Sequence, residues 1–472
     1  MSITDVYKKA NQSHLFNEWN NLNDAQRRQF EENLRQVSHR VSPSAIVRDC
    51  QKALKLAEDN ASASSPIEPL PEYSYESIIG NPEIEDEYQK LGLAAIARGE
   101  VAVILMAGGQ GTRLGSSQPK GCYNIGLPSG KSLFQIQAEK LLRLQKLAQS
   151  HKPIPWYIMT SKPTREPTEQ FFKEHSYFGL SPQQITFFNQ GTLPALDLEG
   201  AKLLQSSPTE LVESPDGNGG LYRAIKDNKL LDDFVSNNIR HIHMYCVDNV
   251  LVKLADPVFI GYAIKHGFEL ATKAVRKRDA AESVGLIATK DGKPCVIEYS
   301  EISKEMAEAK DDQGLLKLRA ANIVNHYYAV DLLERKLDEW CDTMPYHIAK
   351  KKIPFYNNTD GSYIKPSEPN GIKLEQFIFD VFPSVPLEKF GCLEVYREKE
   401  FAPLKNAPGS ANDNPETSRA AYLNLTTSWL KEVGAQVNDG VHVEVSGRVS
   451  YAGESLESYK DEIFDQDNAL VE

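Results

Sequence analysis

The densest chemical signal in the chain is Met106–Gly115, MAGGQGTRLG, which opens at the end of the apolar run Val101–Ala107. Three glycines, Gly108, Gly109 and Gly111, let backbone N–H groups approach an anion where any Cβ would obstruct. Thr112 adds a hydroxyl, and Arg113 adds a forked, permanently charged donor. Pro119 and Lys120 follow, and a lysine at that place supplies a mobile point charge suited to a phosphoryl group. A lone glycine pair would read as a solvated turn. The preceding strand, the arginine and the Pro-Lys pair make this one a phosphate loop.

Two familiar phosphate motifs do not fit. The dinucleotide fingerprint needs GxGxxG, and Gly109-Gln110-Gly111 reaches Gly115 one residue too late. The Walker loop needs GxxxxGK[ST], and Gly126–Ser132, GLPSGKS, is one residue short. That segment reads as a turn into a helix. The chain is therefore neither a dehydrogenase nor a P-loop ATPase.

The elements that position these residues can be read from periodicity. Asp24–Val37 and Ser44–Glu58 have helical spacing, and the Ser/Pro-rich stretch Ser62–Pro71 reads as an exposed connection. From Val101 short β-rich runs alternate with helices: Val101–Ala107, Ile154–Met159, His241–Val247, Pro294–Tyr299 and Ile323–Val330. The helix Ser132–Gln149 carries Leu133, Ile136, Leu141, Leu144 and Leu147 on one stripe, with Ser132 and Gln135 fitting a capping box. This alternation implies an α/β domain with a largely parallel sheet. Further on, Leu374, Phe377, Ile378, Val381 and Phe382 have the spacing of an amphipathic helix. Gly409–Glu416 reads as a loop, and Val441–Tyr451 as a small β-element.

Bulk composition narrows the function. A length of 472 residues predicts two or three domains. The net charge of −12 disfavours nucleic-acid or anionic-membrane partners, so a phosphate site must be a local concentration of donors. No run is long enough to span a membrane, and MSITDVYKKANQSHLF has no apolar leader core. The scattered cysteines, without a CxxC pair, suit reduced thiols and a cytoplasmic location. With no heptads and no long apolar edge, a monomer is expected.

Other residues have both a chemical and a structural reading. Asp248 ends a β-run, where ligands of open α/β sheets bind, and a carboxylate there suits Mg²⁺; the alternative is an N-cap. Ser214–Gly220, SPDGNGG, is a tight loop whose backbone can approach a flat ring, though turn chemistry alone would explain it. Glu298 reads as a strand residue, solvated or hydrogen-bonded to a polar ligand. His241 and His243 read as packing residues. The basic run Lys273–Arg278 reads as a solvated face. Cys122, two residues from Lys120, is either a reactive thiol or a buried one. The Asn-x-Ser/Thr triplets at Asn11, Asn60, Asn357 and Asn424 are chance matches in a cytosolic chain.

AGGQGTRLG followed by QPKG resembles the signature of eukaryotic UDP-N-acetylglucosamine (UDP-N-acetylhexosamine) pyrophosphorylases, close to fungal members. FFNQGTLPA (Phe187–Ala195), SPDGNGGLYRA (Ser214–Ala224), YCVDNVL (Tyr245–Leu251), VIEYSE (Val296–Glu301), ANIVNHYY (Ala321–Tyr328) and PLKN (Pro403–Asn406) follow in family order. The resemblance covers Val101 to Asn406. It implies a Rossmann-like nucleotidyltransferase domain with a mostly parallel mixed sheet over 99–390. A mainly helical N-terminal domain, 1–98, and a C-terminal α+β domain, 391–472, would flank it. The implied reaction joins UTP to N-acetylglucosamine-1-phosphate with Mg²⁺, releasing pyrophosphate, and its product would feed chitin, glycoprotein and GPI-anchor synthesis. In family terms Met106, Ala107, Gly108, Gly109, Lys120, Gln190, Gly217, Asp248 and Lys405 match UTP-contacting positions, with Asp248 as metal ligand. Asn218, Gly285, Glu298, Tyr299 and Asn322 match positions at the amino sugar, and Arg113 and Lys120 are the groups expected to neutralise the leaving pyrophosphate. A UDP-glucose or broad UDP-sugar pyrophosphorylase, and a catalytically silent nucleotide-sugar sensor, are the alternatives.

Overall fold

The computed structural model describes residues 2–60 and 66–472, so positions 62–65 of the Ser/Pro-rich connection and the last two positions of the Asn60 triplet lie outside the described residues. The chain forms two compact units: 1–65 with 190–224 and 339–381, and 66–189 with 225–338 and 382–472. This grouping cuts across the three consecutive stretches of the sequence reading, because the first unit gathers the N-terminus with two later excursions of the chain.

In the first unit, α1 (Asp24–Arg40) begins at a reciprocal cap between Asn23 and Gln26, and α2 (Pro43–Asn60) follows almost at once. Phe30, Leu34 and Val37 fall at helical spacing and are buried with Ile46, Cys50, Leu196 and Leu374. Leu374 therefore does not lie on the expected helix. Gly371–Glu375 is a strand between His347–Lys351 and Leu196–Asp197, and Ile378–Ser384 is only a 3-10 stretch containing Pro383. The helical spacing there arises from a strand that buries Ile372 and Leu374 followed by a 3-10 stretch that buries Ile378, Val381 and Phe382.

The second unit is built on an eleven-stranded sheet. Its strands are β1 (Ile67–Glu68), β2 (Tyr75–Ser77), β3 (Val101–Met106), β4 (Trp156–Thr160), β5 (Ile185–Asn189), β6 (His241–Cys246), β7 (Leu270–Arg276), β8 (Leu286–Lys290), β9 (Lys293–Ile297), β10 (Ala320–Ala329) and β11 (Phe390–Val395). The main order is β2-β11-β7-β10-β6-β3-β4-β5, with β8, β9 and β1 attached through β10. β6, β3, β4 and β5 run parallel, and β10 runs antiparallel to both β6 and β7. All six residues of β3, VAVILM, are buried, as befits a parallel strand covered on both faces. The expected largely parallel α/β sheet is present.

Helices α3 (Pro82–Ala97), α4 (Leu133–Leu147), α5 (Lys162–Glu174), α6 (Pro257–His266) and α7 (Pro415–Glu432) accompany this sheet. Ser132 caps α4 by accepting from the Gln135 N–H, but the Gln135 side chain donates to Glu139 instead of closing the expected box. The GLPSGKS lysine, Lys131, is buried against Glu139 and Glu472, so it is committed to structure. Lys273 corrects the reading of a solvated basic run. It lies inside the sheet on β7, wholly buried, with its ammonium between Asp256 and Glu400. A strand in mid-sheet has no solvent face to offer, so the charge is paired internally.

Candidate active site

β3 and β6 end side by side, with Met106 paired to Cys246, so the segments that follow them share one edge of the sheet. After β3 the Ala107 N–H still donates to Met159 on β4. The chain then leaves the sheet. The Gly108 carbonyl is held by the Ser161 hydroxyl at 2.7 Å, and the Gly109 and Gln118 carbonyls accept from the Lys120 and Gly111 amides at 3.2 and 3.0 Å. These bonds fix the loop through its carbonyls. Among the described residues nothing accepts from the amides of Gly108, Gly109 or Gln110, which leaves three donors available to an anion. A Cβ on Gly109 would meet no protein atom. That glycine keeps space open rather than solving a packing problem.

Lys120 is half-buried just past this loop. Burial lowers its pKa below the ordinary lysine value, opposed by the carboxylate of Asp248 and reinforced by Lys405 and Arg113. Those four charged side chains therefore share one electrostatic neighbourhood. Arg113 is exposed at the end of the loop. Asp248 lies just beyond β6, in a turn rather than on the strand. Its carbonyl accepts from Leu404 at 2.9 Å, while its half-exposed carboxylate has no hydrogen-bond or ion-pair partner among the described residues. It caps no helix. No cluster of three or more metal-binding side chains exists among the described residues. A lone free carboxylate beside these donors suits Mg²⁺, a hard cation that takes oxygen ligands, few of them from protein.

Gly285, Glu298, Tyr299 and Asn322 gather at the start of β8, which pairs with the end of β9 on one side and with β10 on the other. The Asn322 N–H donates to Gly285 O at 2.9 Å, and a Cβ on Gly285 would lie 3.6 Å from Glu298 Oε1. Glu298 sits past the end of β9, exposed, and opens a 3-10 turn capped reciprocally with Glu301; Tyr299 beside it is also exposed. The strand expected over Pro294–Tyr299 stops at Ile297 because that turn begins. Asn322 stands at a register break of β10. Its Oδ1 accepts from Val324 N–H at 3.0 Å, and Val324 has a φ of 50°. A β-branched residue seldom adopts that conformation, which costs about 1–3 kcal/mol and persists only where neighbours enforce it.

Gln190, Gly217 and Asn218 belong to the first unit. Gly217 has a φ of 86°, and a Cβ there would come within 2.4 Å of the Gln376 carbonyl, so only glycine fits. Asn218 Oδ1 accepts from the Ile378 N–H at 3.0 Å. Asn218 and Asn322 thus share a pattern: the amide oxygen holds a backbone turn, and the Nδ2 group makes no bond among the described residues.

Three features escaped the sequence reading. Ser161 anchors the phosphate loop from the start of α5, and only its capping pattern Ser-x-x-Thr marks it. Gly121 in QPKG is a packing glycine, since a Cβ there would fall 2.1 Å from the Phe134 ring. Asn249 lies beside Asp248 in YCVDNVL. Cys122 resolves to its inert reading, because burial pushes its thiol up to about 12, far from thiolate at neutral pH. His243 is a buried packing residue, with Nε2 donating to Asn325 Oδ1 at 2.6 Å and Nδ1 accepting from Ala255 N–H at 2.8 Å.

Known proteins agree with this architecture. The family described as "UTP--glucose-1-phosphate uridylyltransferase" matches residues 50–410. A UDP-N-acetylglucosamine pyrophosphorylase of Saccharomyces cerevisiae is 67% identical over 470 residues, covering 99% of this chain and 98% of the relative. The crystal structure of the uridine diphosphate N-acetylglucosamine pyrophosphorylase from Trypanosoma brucei superposes with a TM-score of 0.84 at 29% identity, covering 97% of this chain and 95% of that one. A UDP-glucose pyrophosphorylase from Leishmania major, 18% identical with a TM-score of 0.56, covers 76% of each chain and shares the fold. With its phosphate loop, its mixed sheet and these likenesses together, the chain belongs to the UTP–glucose-1-phosphate uridylyltransferase family.

Proposed function

We propose that the chain is a UDP-N-acetylglucosamine pyrophosphorylase, transferring uridylyl from UTP to N-acetylglucosamine-1-phosphate and releasing pyrophosphate. The observation that carries this reading is the convergence of three unpartnered loop amides with Lys120, Arg113, Lys405 and Asp248 at the shared end of β3 and β6. The yeast relative's name supplies the choice of sugar.

Uridylyl transfer needs no protein nucleophile. An oxygen of the sugar phosphate attacks the α-phosphorus in line, and the bond to the pyrophosphate oxygen breaks. The loop amides of Gly108, Gly109 and Gln110 hold phosphate oxygens without reorganising. Lys120, Arg113 and Lys405 neutralise charge that grows on the leaving group. Asp248 is the residue that would hold Mg²⁺, which when bound would offset negative charge on the phosphates. By the family resemblance Asn218, Gly285, Glu298, Tyr299 and Asn322 would meet the amino sugar, and Gln190 and Gly217 would meet UTP.

The same reading carries a monomeric cytosolic enzyme without nucleic-acid or membrane partners. The described cysteines form no disulfide, which suits a reducing compartment, and no described helix is long and apolar enough to cross a membrane. The test is pyrophosphate release from UTP and MgCl₂ with each of N-acetylglucosamine-, N-acetylgalactosamine- and glucose-1-phosphate. Release that is fastest with N-acetylglucosamine-1-phosphate supports the proposal. A preference for glucose-1-phosphate would make the chain a UDP-glucose enzyme, and silence with every sugar would make it a binding protein.

A further inference from the structure

Asn249 is 4% exposed and follows Asp248 in the turn after β6. Its Nδ2 donates to the Glu400 carbonyl at 2.7 Å, and its Oδ1 accepts from the Ala402 and Leu251 N–H groups at 3.0 and 3.3 Å. The backbone continues the same tie, with Val250 N–H donating to Ala402 O at 3.1 Å and Leu404 N–H to Asp248 O at 2.9 Å. On the far side the Glu400 carboxylate meets buried Lys273 and, at 3.4 Å, Lys253. The segment that ends in Lys405 is therefore clamped twice, by a buried ion pair at Glu400 and by one carboxamide at Glu400 and Ala402. Few side chains can serve there. A carboxamide both donates and accepts at this reach, an aspartate would set oxygen against the Glu400 carbonyl, and serine is too short.

We propose that Asn249 is a positioning residue for the reaction: it fixes the register between the turn carrying Asp248 and the segment carrying Lys405. The proposal rests on reading Asp248 and Lys405 as phosphate-side groups. Asn249 touches no reacting atom. It holds an anion and a cation from distant parts of the sequence around one phosphate position before any ligand arrives. A displacement of about 1 Å in such a pair is worth about 10²-fold in rate.

The experiment compares Asn249→Ala and Asn249→Asp with the wild-type chain by hydrogen exchange and steady-state kinetics, adding Asp248→Asn, Lys405→Ala and the combined variants. In Asn249→Ala the amides of Ala402 and Leu404 should exchange about tenfold faster, while those of β3 and β4 stay protected. Its kcat/KM for UTP should fall by about 10²-fold, and the Mg²⁺ concentration for half-maximal rate should rise. Asn249→Asp, which sets an oxygen against the Glu400 carbonyl, should lose at least as much. In the Asp248→Asn, Lys405→Ala background, Asn249→Ala should cost under about threefold more, because what it positioned is gone. Faster exchange with unchanged kcat/KM and Mg²⁺ dependence would overturn the proposal, as would an undiminished loss in the combined background. If Asn249→Ala does not fold, Asn249→Ser, too short to reach Glu400 but free of that repulsion, decides by the same two readouts. Near-normal turnover in Asp248→Asn and Lys405→Ala themselves would sink the phosphate-side reading, a pattern distinct from either failure of Asn249.

Discussion

At the shared end of β3 and β6 the donors are backbone amides and long cationic side chains on loops. At the start of β8, between β9 and β10, they are short side chains pinned to a sheet. The loop end leaves Gly109 with open space and holds its backbone by carbonyl bonds. The sheet end stores strain at Val324 and uses Asn322 Oδ1 to hold it. The difference fits two tasks. Phosphates need charge and tolerate some freedom of approach, whereas telling one sugar from another needs a donor or acceptor at a fixed place.

The largest effect should come from removing a cation at the loop end. Lys120→Ala should keep the fold, since a half-exposed lysine contributes little packing, and lower kcat by about 10²–10³-fold. Steady-state assays at saturating UTP and Mg²⁺, with a melting curve as control, measure this. Near-normal turnover would move the phosphate site elsewhere.

Asp248→Asn keeps the shape of the side chain and removes its charge. The rate should fall by about 10–10²-fold, partly restored by raising Mg²⁺. A Mg²⁺ titration of the variant checks it, and an unchanged curve would leave Asp248 as a turn residue only.

The sheet end is tested by Asn322→Asp, which keeps the acceptor for Val324 and removes the Nδ2 donor. The kcat/KM for N-acetylglucosamine-1-phosphate should fall by about 10–10²-fold, equivalent to about 1–3 kcal/mol, and that for glucose-1-phosphate should fall less. Equal losses would take Asn322 out of the sugar site. Asn322→Ala alone would not decide, because it also frees the strained turn.

The smallest effect is a shift with pH. Burial depresses the Lys120 pKa, so its ammonium loses its proton below the ordinary lysine range of about 10.4. As pH rises through that depressed value, kcat/KM for UTP should fall, and Lys120→Arg should move the limb upward. Stability runs the other way. Between the depressed folded-state value and the ordinary one the unfolded chain holds more protons, so folding stability rises with pH over that window. Profiles of kcat/KM and of melting temperature over the same alkaline range test both signs.

The two ends also differ in how they stand in the sequence. The loop end was legible because glycine spacing, an arginine and a Pro-Lys pair after a buried strand have few other uses. The sheet end was not. An asparagine and a glutamate in β-rich runs are generic, and only the family resemblance picked out Asn322, Glu298 and Gly285. The parallel sheet was legible from runs such as VAVILM. The helix expected around Leu374–Phe382 was not there, because alternation in a strand and spacing in a 3-10 turn add up to a helical period. Lys273 was misread for a related reason: a basic run shows its charge but not the carboxylates of Asp256 and Glu400, which arrive from elsewhere in the chain. Asn249 was passed over because its three partners become visible only once the turn after β6 meets the segment 400–404.

The central claim is that the loop end transfers uridylyl and the sheet end chooses N-acetylglucosamine. A single competition measures both. Equal concentrations of N-acetylglucosamine-1-phosphate and glucose-1-phosphate are incubated with limiting UTP and Mg²⁺, and pyrophosphate and both nucleotide sugars are quantified together. The product ratio equals the ratio of the two kcat/KM values. The account predicts one pyrophosphate per nucleotide sugar, with UDP-N-acetylglucosamine in large excess. A comparable or greater yield of UDP-glucose would contradict it.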